Sequence, residues 1–131
     1  MTDQLCQQVY DTVATHLLAQ GRPAKAVIKS VVQCVYRDHH GFKCAVGCLI
    51  PDDMYDPAME GKTAHELKHE YPHLLPDVPA RLLHELQHSH DATLYHEGLH
   101  HWARHMLRIA KRWELDPAII KTFLEDNDDT P

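Results

Sequence analysis

Val31-Val32-Gln33-Cys34-Val35-Tyr36-Arg37, the link Asp38-His39-His40-Gly41, and Phe42-Lys43-Cys44-Ala45-Val46-Gly47-Cys48-Leu49-Ile50 decide how this chain is expected to fold. The first run is rich in β-branched and aromatic residues, the second has the same character, and the link carries a glycine where a tight turn needs one. The stretch predicts a β-hairpin over 31–50, ended by Pro51-Asp52-Asp53, because proline cannot donate to a strand ladder and aspartate favours turns. On such a hairpin Cys44 and Cys48 share one strand face, with Cys34 on the partner strand. Val27 and Ile28 either extend the first strand or add another, since the lysines at 25 and 29 fit both.

Helical patterns flank this stretch. Leu5, Val9, Val13, His16 and Leu17 recur at helical spacing over 3–20, with Gly21 as the stop. Thr63-Ala64-His65-Glu66 fits a capping box, in which Glu66 reaches back to the backbone of Thr63, and opens a helix that ends before Pro72. A third helix is expected over 81–91 and the longest over 94–113, where Leu99, Trp102, Ala103, Met106, Ile109, Ala110 and Trp113 form an unbroken stripe. Asp116-Pro117 opens a last short helix carrying Ile119, Ile120, Phe123 and Leu124. The expected fold class is α+β: the hairpin, a small antiparallel sheet, packed against four to five α-helices, chiefly the first and the longest. Residues 1–125 are expected to form a single compact domain and 126–131 an acidic frayed tail. Within this core Trp102, Cys44 and Cys48 are structural candidates.

The chain has 131 residues and a net charge of −6 with histidine neutral, and it lacks any long Lys/Arg run, so nucleic-acid binding is not expected. Arg104, Arg108, Lys111 and Arg112 nevertheless make a local basic stripe, Arg104, Arg108 and Arg112 falling one helical turn apart. No stretch approaches the ~18 apolar residues that span a bilayer, and the opening Met-Thr-Asp-Gln does not read as a signal segment. No membrane association is expected, the expected location is cytoplasmic, and the four cysteines (Cys6, Cys34, Cys44, Cys48) are expected to be reduced.

His-Glu-x-x-His occurs three times, at His65–His69, His84–His88 and His96–His100. On a helix this spacing sets two imidazoles one turn apart with a carboxylate beside them, the metal pair and general base of a zinc hydrolase. Ten of the 13 histidines fall within 65–105, however, so the local composition itself raises the frequency of the pattern. At about 100° per residue, His65, His69, His84 and His88 fall away from the apolar faces of their helices, whereas His96 and His100 lie at a stripe's border, with Glu97 beside them. Only the third copy thus has a setting for zinc, with His96 and His100 as ligands and Glu97 as base. A third ligand is not evident, since the extended motif would use position 106, which is Met106, and His105 falls one position short of it. His90, in contrast, lies on the leucine face of the third helix, where followed by Asp91 it reads as a buried structural histidine donating to a carboxylate or carbonyl.

The run Lys43-Cys44-Ala45-Val46-Gly47-Cys48-Leu49-Ile50-Pro51-Asp52, continued by Tyr55, Pro57, Met59, Glu60 and Gly61, resembles a family of small, largely uncharacterised proteins from bacteriophages and bacteria. Leu82-Leu83, Leu86-Gln87 and His90-Asp91 are similar to that family's helix after the hairpin, whereas His84 and His88 are not part of the pattern. The resemblance implies a fold and a phage or mobile-element origin, and no chemistry. The expected function is that of a small non-enzymatic interaction protein that binds a host protein and needs no cofactor. The alternative is a zinc-dependent hydrolase.

Overall fold

The computed structural model describes residues 2–22, 24–28, 30–91 and 98–126, apart from the side chains of 2, 3, 26–28 and 31–34. Helix α1 (Thr2–Gln20) buries Cys6, Val9, Tyr10, Val13, Ala14 and Leu17 along one face. Its stop is Gly21, at φ +73, whose N–H donates to the Leu17 carbonyl at 2.8 Å. Strands β1 (Lys25–Ile28) and β2 (Val31–Cys34) then pair antiparallel, Lys25 opposite Cys34 and Ile28 opposite Val31. After a long irregular stretch come α2 (Ala64–Glu70), α3 (Ala80–Ser89), α4 (Leu99–Trp113) and α5 (Ala118–Asp126).

The α+β expectation is overturned. Among the described residues five helices build the fold, and the predicted hairpin over 31–50 does not form. Val31–Cys34 pairs upstream with β1 in a ribbon only four residues long, which makes no sheet layer, and its intended partner over 42–50 is not a strand. The tip survives: Asp38 N–H donates to the Phe42 carbonyl, Asp38 Oδ1 accepts from the His40 and Phe42 N–H groups, and Arg37 bridges Lys43. Beyond Lys43 the backbone coils instead. Cys48 N–H donates to Cys44 O at 3.0 Å and Leu49 N–H to Val46 O at 2.9 Å, forming a short 3-10 turn over Gly47–Leu49. The reason lies in burial. Cys44, Ala45, Val46 and Gly47 are buried one after another, whereas a strand with one face to the core would bury only every second residue.

This turn is the wedge about which the helices assemble. It packs on α1, where the Gln20 side chain accepts from Lys43 N–H at 2.8 Å and donates to its carbonyl at 2.9 Å. Glu60 clamps the preceding segment by accepting the Tyr36 and Arg37 N–H groups at 2.9 and 3.2 Å and the Tyr55 hydroxyl at 2.6 Å. Burial and the nearby Glu60 charge push the Tyr36 phenol up, so it stays a donor, and its hydroxyl bonds the Lys62 carbonyl.

Helix α4 carries the middle of the core with Trp102, Ala103, Met106, Ile109 and Ala110 buried. Tyr10 of α1 donates to the Met106 carbonyl at 2.9 Å, and Gln7 bonds Asp116 N–H and C=O at 2.7 and 2.9 Å, so α1 is tied to the middle of α4 and to the turn between α4 and α5. The expected start of this helix at 94 lies outside the described residues, as do 127–131 of the expected tail, whose first residue, Asp126, closes α5. Among the described residues no helix is long and apolar enough to cross a membrane.

Candidate functional site: the α3/α4 face and the His90 hub

The three His-Glu-x-x-His copies meet different fates. In the first, Glu66 is committed to the capping box: its carboxylate accepts Thr63 N–H at 2.9 Å while Thr63 Oγ1 accepts Glu66 N–H at 3.1 Å. These bonds hold the Glu66 carboxyl below the usual carboxylate range. His65 and His69 are exposed beside it. In the second, Glu85 is engaged by Arg112 and by the Trp113 indole N–H at 3.1 Å, with Arg81 at 3.6 Å. In the third, His96 and Glu97 lie outside the described residues, and His100 is exposed in the first turn of α4, its ring 5.4 Å from Phe123. Among the described residues no group of three or more His, Cys, Asp or Glu side chains is arranged to hold a metal ion.

His90 is fully buried at a π-type turn that ends α3. Its Nε2 accepts the Ala24 N–H at 3.2 Å, which leaves the ring proton on Nδ1, 2.8 Å from Asp91 Oδ1. Asp91 Oδ1 also accepts from Gln87 Nε2 at 2.9 Å, and Gln87 Oε1 accepts the Val46 N–H at 3.0 Å. One imidazole, one amide and one carboxylate thus staple α3 to the segment just before β1 and to the Cys44–Cys48 turn. Cys44 is fully buried with its Sγ accepting from Gly47 N–H at 3.2 Å, and Cys48 Sγ donates to Ala45 O at 3.1 Å. Burial pushes both thiols up, Cys48 to about 12, so at neutral pH neither is a thiolate nucleophile. Cys44 and Cys48 are free thiols; the Cys34 side chain lies outside the described residues.

This arrangement sets the histidines apart by stability. His90→Ala removes an acceptor from Ala24 N–H and a donor from Asp91, and should cost ~1–3 kcal/mol in urea denaturation. His65→Gln with His69→Gln should stay within ~0.5 kcal/mol of wild type. A silent His90→Ala would show that the staple contributes nothing.

The remaining polar concentration is the outer face of α3 and α4, which sequence reading divided between a solvated pair and a solvated stripe. Helix α4 contains Arg104, Arg108, Lys111 and Arg112, all exposed, and no carboxylate. It therefore carries four of the chain's 13 cations and none of its 19 acids. Beside it α3 adds Arg81, His84 and His88. His105 was set aside in the sequence as a zinc ligand one position out of place. It sits at the seam, its ring 6.4 Å from that of His88, which in turn stacks 6.3 Å from His84. Each helix signals its own edge of this seam through i, i+4 histidines, but only tertiary packing brings the edges together.

His105 and His16 both hold a proton less readily than free imidazole, chiefly through burial, and for His105 also through His88, Arg108 and Arg112. The unfolded chain therefore takes up these protons first as pH falls through about 6.5, so stability is complete above that pH and declines below it. Thermal melts should show a constant Tm from about pH 8 to 7 and a falling one toward about pH 5.5, less steeply in His105→Gln. A Tm that rises on acidification would contradict the assignment. The lowered carboxyls Asp52 and Glu66 act only below about pH 4.5 and do not enter this window.

A scan against protein-family models, a search of curated proteins and a search of solved structures each return no match to this chain.

Proposed function

We propose that the protein acts by binding rather than catalysis, as a small interaction protein of phage or mobile-element origin whose α3/α4 face docks on an acidic surface of a host protein. The observation that carries this reading is charge segregation. With α4 set aside, the rest of the chain holds ten more acids than cations, so the basic face stands alone on an acidic body. That pattern favours a local acidic patch as partner. A long polyanion such as nucleic acid would run past the stretch from Arg104 to Arg112, only ~12 Å of helix, and meet the acidic body.

The test is charge reversal. Arg104→Glu with Arg108→Glu changes two exposed side chains and should leave folding intact. Affinity capture from a bacterial host lysate, followed by calorimetry with the purified captured protein, should give a saturable complex that weakens on adding salt and at least about tenfold in the double variant. Equal affinity of variant and wild type would refute this docking face, and zinc-dependent hydrolysis lost with His96→Ala would replace the reading by an enzymatic one.

A further inference from the structure

Where the solvent edges of α3 and α4 meet, Arg81, His84, Glu85, His88, His105 and Arg112 line an open cleft of about 290 Å³. Three imidazoles and two guanidinium groups face a single carboxylate there, and that carboxylate is already taken up by Arg112, the Trp113 indole and Arg81. Donor capacity is thus left over. Arg81 and Arg112 have exposed side chains with further N–H groups, and His105 Nδ1 is buried with no hydrogen-bond partner among the described residues. With its one carboxylate in use and guanidinium N–H groups to spare, the cleft has donors left for an anion.

We infer that this cleft is the anchoring pocket of the basic face and that it takes a side-chain carboxylate of the acidic protein partner; the inference rests on the binding reading above. A carboxylate offers about four lone-pair sites in a plane, enough to accept from a guanidinium and from one or two imidazoles at once. It also reverses the local electrostatics. At rest His105 resists protonation because it is partly buried and faces His88, Arg108 and Arg112, with Glu85 opposing them. The other titratable wall residue is His84 of α3, whereas α1 meets α4 through Tyr10 at Met106 and α5 meets it through Phe123 at His100. An anion in the cleft offsets the cationic repulsion, so docking draws a proton onto the histidines and tightens as pH falls through the imidazole range.

A capped hexaglutamate peptide is the probe, titrated into the full chain and followed by histidine Cε1–H resonances and tryptophan fluorescence. Saturation should move the His105 resonance and perturb Trp113, which shares Glu85 with the cleft. It should raise the His105 titration midpoint by about one unit, so the peptide binds about threefold more tightly at about pH 6 than at about pH 8. His105→Gln should abolish most of that pH dependence. His88→Gln, at an exposed position where folding is not at stake, should reduce it. Peptide binding with the same pH dependence in both variants as in wild type overturns the pocket but leaves the docking face in place. Loss of host-protein binding in Arg104→Glu with Arg108→Glu, together with an unmoved His105 resonance in the peptide titration, does the same. If inorganic phosphate or a single-stranded oligonucleotide moves the His105 resonance and the peptide does not, the carboxylate assignment falls. Equal host binding by wild type and the charge-reversed variant removes the docking face on which this inference rests.

Discussion

Gly47→Ala is expected to cost about 3 kcal/mol or more, which is large for the addition of one methyl group. A Cβ at this position would stand 2.0 Å from the Tyr36 carbonyl oxygen and 2.8 Å from its carbon. Neither is a side-chain atom that can rotate away. The Tyr36 carbonyl accepts the Cys44 N–H at 3.0 Å, and the Tyr36 N–H is held by Glu60 at 2.9 Å, so relief of the clash requires breaking one of these or lifting the whole turn. Lifting the turn would also pull Val46 N–H off Gln87 and loosen the His90 hub. Equilibrium urea denaturation should show a lower midpoint with an unchanged slope. A loss under ~1 kcal/mol would mean that the turn yields easily and is not the wedge on which α1 and α3 close.

The same glycine shows where the sequence was readable and where it was not. The stripe of α4 is plain because the 3.6-residue period repeats over four turns, and local pattern and burial agree from Trp102 to Ala110. Residues 42–50 carry no such period. A short apolar run is compatible with a strand, a buried helix or a packed turn, and only a distant partner decides. Here the partner is the Tyr36 backbone, and the available clue was Gly47 itself: a glycine inside an apparent strand marks a close backbone approach. Only Val46 and Ile50 in that run are β-branched, so the strand propensity was weaker than in 31–37. The site was divided in a similar way. Helical geometry puts His84 and His88 off the leucine face and gives Arg104, Arg108 and Arg112 one stripe, but it contains nothing about which helix lies alongside. The cleft with His105 exists only because α3 and α4 are neighbours.

Trp102→Ala tests the core on which that neighbourhood depends. Trp102 is fully buried in the first turn of α4, and truncating an aromatic side chain of this size to alanine typically costs ~3–5 kcal/mol through lost burial and the cavity left behind. One term works in the opposite direction. The indole Nε1 is buried with no hydrogen-bond partner among the described residues, so the folded state bears a desolvation cost of ~1–3 kcal/mol that disappears with the ring. The net loss should therefore fall near the lower end, ~3 kcal/mol, and Trp102→Phe should separate the two terms. Phenylalanine keeps much of the apolar volume and removes the N–H, so its loss should be no more than ~1.5 kcal/mol. Differential scanning calorimetry of the two variants gives both numbers, and because Met106 and Ala103 share the same face, the midpoint of His105 titration should stay near wild type in Trp102→Phe if α4 keeps its seat. A Trp102→Phe loss equal to that of Trp102→Ala would mean that the indole's particular shape, not the burial of an aromatic ring, holds α4 against its neighbours.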